Sequence, residues 1–248
     1  MRRIGVLLAF LVLASCAPQQ ADRVVSTESE GWSYGGMVAA ANPYAVEVAA
    51  EVLRDGGHAV DAAIAAHAVL GLVEPQSSGL GGGAFMLVYE RASGQLFAFD
   101  GRETAPAGAH ADMFLEAGEP MGFVDAWQSG LAVGVPGMVA LYEASHRAFG
   151  RLGLPTLLAP AIELAEQGFV VSPRLEGLLK RLQGVGRLSQ NPATAAYFYP
   201  GGQPLSAGDL RDNPAYAQTL SRIAVDGSRA FYDGALAEEI VAAVRAEP

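Results

Sequence analysis

The sequence predicts an α+β fold, a helix pair laid on a β-hairpin with a helix-rich second half, and three observations predict it. One helix opens at Asn42-Pro43 and a second runs through DAAIAAHAVLGLV. Two β-rich runs, Ala84 to Tyr89 and Gln95 to Asp100, flank the turn Ser93-Gly94, which is the pattern of a hairpin. Beyond Pro106 the pattern turns helical and loop-rich. Laying helices on a sheet buries the apolar faces of both.

The 248 residues suffice for one large domain or two small ones, and 51% of them are apolar, enough for a sizeable core. A formal charge of −10 argues against nucleic acid and anionic membrane surfaces as partners, since both require a basic face. The single cysteine excludes a disulfide within the chain.

Residues 1–16 read as a lipoprotein-type signal peptide. Arg2 and Arg3 precede the apolar run Ile4 to Leu13, which is too short to span a bilayer as a helix. Leu13-Ala14-Ser15-Cys16 resembles a bacterial lipobox. Lipidation of Cys16 would then hold the mature protein on the periplasmic side of a bacterial cell envelope. The plainer alternative is an ordinary signal peptide with an incidental cysteine. Residues 17–33 are polar and aperiodic, a flexible tether, and a short strand is expected over 34–40.

In the first helix Asn42 is the N-cap and Pro43 the first helical residue. Val46, Ala49, Ala50 and Leu53 form the apolar stripe, and Gly56-Gly57 the stop. The second helix is expected from Asp61 to before Pro75 and is apolar on almost every face, so it should be buried. His67 inside it has Ala63 and Gly71 one turn away, so it reads as a packed core histidine. His58, His110 and His146 are equally isolated, leaving no zinc constellation. Gly79, Gly81, Gly82 and Gly83 precede a strand rather than a helix, with no Lys-Ser/Thr pair following, which argues against a nucleotide site. Close backbone packing and the lining of a pocket both remain open for this loop. Arg102, just past the second strand, is placed to meet a planar anion bidentately, or to pair with Glu103, Asp100 or a sheet-end carbonyl.

Further along, a short helix is expected over 109–116, and a short strand or loop over 127–136 with Trp127 as a core anchor. Helices follow from Gly137 to Phe149, Thr156 to Gln167, Pro173 to about Leu182, Pro214 to Val225 and Ala235 to Ala246. The stretch 184–204 reads as loop carrying the aromatic cluster Tyr197-Phe198-Tyr199. The chain thus divides into a helix pair plus hairpin core (34–135) and a helical portion (136–248).

The series GMVAAANPYAVEVAAEVLRDGGHAVDAAIAAHAVLGLVEPQSSGLGGGAFMLVY, then DGRETAP, resembles the front half of the γ-glutamyltransferase (γ-glutamyltranspeptidase) large subunit. VGVPGMVALYEA, LLAPAIELAEQGFVVSP and GSRAFYDGALAEEIVAAV continue the match in the family's order, so the ordered series carries the resemblance from Gly36 onward. Two departures are His58, where the family usually has Asn, and Gln76, where it often has His. The resemblance implies part of the four-layer αββα sandwich of the N-terminal nucleophile hydrolases, incomplete here, with no cofactor or metal. It implies an enzyme that moves the γ-glutamyl group of glutathione or a related amide, through an acyl-enzyme, to water or an amine. In that family self-cleavage frees a threonine whose hydroxyl is the nucleophile and whose α-amine can be the base. Arg102 matches the arginine that holds the substrate's α-carboxylate. None of Thr27, Thr104, Thr156, Thr194 and Thr219 stands in a self-cleavage motif. The expectation is therefore a large-subunit region truncated at its C-terminus, inactive without a small subunit. The alternative is a non-catalytic envelope lipoprotein that keeps the first half of the fold and binds a ligand or partner.

Overall fold

Helix α1 (Pro43–Arg54) starts where Asn42 Oδ1 accepts the Tyr44 N–H at 3.1 Å, with Pro43 in its first turn. The computed structural model describes residues 36–185 and 188–246, which fall in one unit, Gly36–Pro248. The expected signal peptide with its Cys16 and the expected tether lie outside the described residues. No strand forms over 36–40. Ala45, Ala49 and Val52 are the buried residues of α1, so its inward stripe is rotated from the expected one.

Helix α2 (Ala59–Val73) begins two residues before Asp61, because His58 is its cap. His58 Nδ1 accepts from Val60 N at 3.1 Å, and Asp61 Oδ2 accepts from His58 N at 2.8 Å, a reciprocal capping box. A histidine ring thus supplies the acceptor that a short polar side chain usually provides at an N-cap. As expected from its all-round apolarity, α2 is buried along most of its length, packed on α1 and α5.

Strands β1 (Ala84–Glu90) and β2 (Gln95–Gly101) pair antiparallel in the register Ala84↔Gly101 to Glu90↔Gln95. Alternation sends Val88, Met86, Phe97 and Phe99 toward the core, where Phe97 and Phe99 meet Phe149 edge-on. The opposite face carries Phe85, Leu87, Tyr89 and Leu96, each 64–69% exposed. The hairpin is therefore buried on one face only.

The middle of the chain departs most from expectation. Instead of a helix over 109–116, turns lead into a two-residue strand pair, β3 (Leu115–Glu116) and β4 (Glu119–Pro120). Ala117 (φ 51°) and Gly118 (φ 87°) both occupy the left-handed region that such a tight connection requires. Trp127 lies on α3 (Phe123–Gln128), a helix none of whose residues is buried. At 52% exposed, Trp127 is no core anchor.

Helix α4 (Met138–Phe149) runs to Gly150 as expected. Helix α5 (Leu154–Gln167) starts two residues early, with Pro155 in its first turn, and packs on α2 and on α8 (Pro214–Asp226). Between them, β5 (Phe169–Val170) pairs with β6 (Leu210–Arg211), and α6 (Pro173–Leu182) is capped by Ser172. The stretch expected as loop holds a helix, α7 (Pro192–Phe198), capped when Asn191 Oδ1 accepts from Thr194 N. Asn-Pro thus opens α1, α7 and α8 alike. Helices α9 (Arg229–Tyr232) and α10 (Ala235–Ala246) complete the described chain, whose sheets are three two-stranded antiparallel pairs. The fold is mixed α and β.

One junction sets the positions of the loop, the hairpin and α4. Gly82 O accepts from both Gly137 N and Met138 N, each at 3.1 Å. A Cβ on Gly101 would fall 2.7 Å from Leu141 Cβ, one on Gly83 2.9 Å from Glu103 N, and one on Gly137 2.7 Å from the Gly101 carbonyl carbon. Three backbones touch there with no room for a side chain. Gly137→Ala should therefore destabilise the fold by about 1–3 kcal/mol through overpacking. Gly177→Ala, inside α6 with nothing within 4 Å of the new methyl, should stabilise by about 0.5–1 kcal/mol. Denaturant melts of the two variants check the opposite signs; a neutral Gly137→Ala would refute the junction.

Candidate functional site

Arg102 follows β2 directly and its main chain is held on both sides. Its N–H donates to Asp100 Oδ1 at 3.0 Å, and two residues on, Thr104 bridges Val135, with N–H to O distances of 3.3 and 2.8 Å. The guanidinium itself is 70% exposed, and its Nε donates to Glu103 Oε2 at 3.2 Å. Among the described residues Glu103 is the one carboxylate within ion-pair range of it. So exposed a pair is worth at most about 1 kcal/mol, so Arg102 remains available to an incoming anion.

The same residues border a cleft of about 590 Å³ that includes Arg102, Glu103, Thr104, Met113, Leu131 and Gly134. A polar hollow of about 430 Å³ adjoins it, since Gly81 and Glu103 line both. Gln76, Ser77, His67 and the glycine loop are among the other residues that line that hollow. The loop is therefore both closely packed, through Gly83, and pocket-lining. Both alternatives hold, and at Gly83 they hold together.

Two buried carboxylates hold the elements around these spaces. Glu74, at the C-cap of α2, is 2% exposed and receives hydrogen bonds from Asn42 Nδ2 (2.9 Å), Gln76 Nε2 (2.5 Å) and Ser172 Oγ (3.2 Å). The Arg174 guanidinium lies 3.5 Å away. This one side chain links the cap of α1, the start of the glycine loop and the cap of α6. Asp61, fully buried, accepts at Oδ2 from His58 N and from Arg151 N (2.9 Å), tying the α4–α5 connection to the start of α2. Neither role stood out in the sequence. The available signal was a charged residue at each end of an otherwise apolar helix.

His67 is half-buried at the edge of the polar hollow rather than wholly in the core, and its Nδ1 lies 2.6 Å from the Tyr142 hydroxyl. Burial pushes the His67 pKa down from 6.5 to about 4, so the ring is neutral near pH 7. Burial first, and Tyr216 second, push the Tyr142 phenol well up, so it stays protonated beside Nδ1. Among the described residues no group of three or more His, Cys, Asp and Glu side chains gathers as a metal site, and no helix is long and apolar enough to cross a membrane. Of the threonines, Thr104 has its nitrogen in the bridge to Val135, while Thr156, Thr194 and Thr219 lie inside α5, α7 and α8. Cys16 and Thr27 lie outside the described residues.

Residues 45–247 match the family model described as Gamma-glutamyltranspeptidase. Glutathione hydrolase 3 of Arabidopsis thaliana is 41% identical over 86% of this chain and 32% of that protein. The glutathione hydrolase proenzyme of Bacillus subtilis is 40% identical over 83% of this chain and 35% of that protein. The crystal structure of Helicobacter pylori gamma-glutamyltranspeptidase superposes with a TM-score of 0.82 at 34% identity, covering 87% of this chain and 61% of that one. The chain spans about a third of the length of these two curated relatives.

The His67 environment fixes a pH dependence. Below pH 6.5 the unfolded chain binds a proton at His67 that the folded chain refuses until about pH 4, so stability falls as pH drops through that window. The loss amounts to at most about 3 kcal/mol. Denaturant titrations at pH 4.5 and 7 should show it in the wild type and show it diminished in His67→Gln. Equal slopes in both would assign the effect elsewhere.

Proposed function

The chain belongs to the gamma-glutamyltranspeptidase family, and from that premise we propose that it is the donor-binding part of a γ-glutamyltransferase/glutathione hydrolase large subunit. In this reading the γ-glutamyl group of glutathione or a related amide passes through an acyl-enzyme to water or an amine. The observation that carries it is Arg102. A clamped main chain holds its guanidinium at the mouth of a cleft, with a weak partner that a carboxylate can displace. The planar fork meets the donor's α-carboxylate bidentately.

The nucleophile comes from the small subunit that completes the enzyme. The Thr104 nitrogen is an amide donating to Val135 O, and helical backbone holds Thr156, Thr194 and Thr219, so none offers a free α-amine as base. The exposed hairpin face of Phe85, Leu87, Tyr89 and Leu96 supports the same reading. It is the face on which further sheet would complete a four-layer αββα sandwich. Acylation of Cys16 holds the protein on the periplasmic side of a bacterial envelope, on the strength of Arg2, Arg3, the apolar run and the lone cysteine.

A chimera with residues 45–247 in place of the matched segment of the Bacillus subtilis proenzyme tests the role of Arg102. Arg102→Ala should lower kcat/KM for a γ-glutamyl anilide by roughly ten- to a hundredfold, the worth of a charge-assisted hydrogen bond. Arg102→Lys should fall between, keeping charge but losing the fork. Unchanged kinetics in Arg102→Ala would reject the assignment. Turnover by the isolated chain that vanishes in Thr104→Ala would reject an external nucleophile.

For the anchor, wild type expressed in a bacterium should partition into detergent and Cys16→Ser into the aqueous phase. Identical partitioning would dismiss it.

A further inference from the structure

The fold decides which nitrogen of His67 carries the ring proton. Tyr142 is 1% exposed, and among the described residues its hydroxyl has one hydrogen-bond partner, His67 Nδ1. A proton on Nδ1 would leave the phenol hydrogen buried without an acceptor, which folded chains rarely tolerate. Tyr142 therefore donates to Nδ1. Burial keeps the ring neutral down to about pH 4, so its single proton sits on Nε2. Nε2 has no partner among the described residues and is not one of the partnerless atoms sealed from solvent. A neutral N–H donor thus opens on the polar hollow that His67 lines. Gln76 also lines it, but its unpaired Oε1 is sealed and closed to a ligand.

An acceptor stands across the glycine loop. One turn along α2 from His67, a Cβ on Gly71 would lie 3.5 Å from Gly79 Cα, so α2 borders one end of the loop. At the other end, a Cβ on Gly82 would fall 3.5 Å from Glu103 Oε1 and one on Gly83 2.9 Å from Oε2. Oε2 accepts from Arg102 Nε, whereas Oε1 has no hydrogen bond among the described residues. Arg102 itself does not line this hollow. Charge then selects the occupant. A carboxylate meets repulsion from Glu103, and a cation meets the positive end of the His67 N–H. An uncharged amide offers a carbonyl to the one and an N–H to the other.

We propose that the polar hollow binds an uncharged carboxamide, with His67 Nε2–H donating to its carbonyl oxygen and Glu103 Oε1 accepting from its N–H. Tyr142, which fixes the tautomer, is a positioning residue, and the hollow discriminates against the isosteric carboxylate. The site is separate from the carboxylate-binding role of Arg102 and does not rest on it.

The test is long-range proton–nitrogen NMR of the full chain with isotope-labelled histidine, the His67 signals being those lost in His67→Gln. His67 should show the Nε2–H tautomer throughout the neutral range. Acetamide should shift its Nε2 saturably, and acetate, of the same shape, should bind at least about fivefold more weakly. N,N-Dimethylacetamide, which lacks an N–H, should bind roughly two- to tenfold more weakly than acetamide. Tyr142→Phe should populate the Nδ1–H tautomer and weaken acetamide. Glu103→Gln, on the surface, should narrow the gap between acetamide and acetate. N-Methylacetamide binding as well as acetamide would identify a peptide bond as the group held, and acetamide binding alone a primary carboxamide; both sustain the proposal. Arg102→Ala should leave the acetamide titration in place, and its loss there would overturn a separate site. An Nδ1–H tautomer in the wild type, equal responses to acetate and acetamide, or no saturable shift with acetamide would each overturn the proposal.

Discussion

Where Gly83, Gly101 and Gly137 meet, the glycine loop, the end of β2 and the start of α4 touch with no side chain between them. Gly82 O takes the N–H groups of Gly137, the N-cap of α4, and of Met138, its first residue, so the contact also satisfies a helix terminus. From that point α4 carries Tyr142 to His67 and Phe149 to Phe97 and Phe99, so one close approach positions the helix against both α2 and the hairpin. Arg102 is the residue after Gly101, and its orientation is inherited from the same contact. A methyl group at any of the three glycines would push these elements apart and move the cleft wall.

Around this junction the buried charges act as fasteners. Glu74 gathers Asn42, Gln76, Ser172 and Arg174, which lie on three separate segments, and Asp61 joins the start of α2 to the α4–α5 connection. Removing a carboxylate from water is costly unless donors replace the lost hydration, and each of these has several. Asp61 Oδ1 is the exception, buried with no hydrogen bond, with His146 Nε2 at 4.0 Å. Arg102 is the contrast. It is exposed and loosely paired, and an interaction so weak leaves a guanidinium free to change partners.

The distribution of apolar surface divides the hairpin in two. Its inner residues belong to the core, whereas Phe85, Leu87, Tyr89 and Leu96 stand in solvent. Strands that alternate apolar residues on both faces are those of a sheet covered on both sides, and one side is covered here. The chain spans about a third of the length of the two curated relatives.

The sequence by itself determined the elements whose signals are local. Asn-Pro caps set the starts of α1 and α8, glycines the ends of α1, α4 and α5, and alternation with Ser93-Gly94 the hairpin register. It also placed Arg102 at the strand end, and the ordered motifs pointed to the family. The same Asn-Pro signal at Asn191 was legible but was outweighed by the surrounding glycines and prolines. Trp127 departs from the expected core position because burial is not a property of a side chain: whether a large apolar residue finds a neighbour depends on elements far away in the chain. Only the tertiary structure decided that Glu74 fastens segments up to 98 residues apart, that Gln76 is left with an unpaired carbonyl, and that three glycines meet. Those facts depend on distances between residues remote in sequence, which periodicity and capping do not encode.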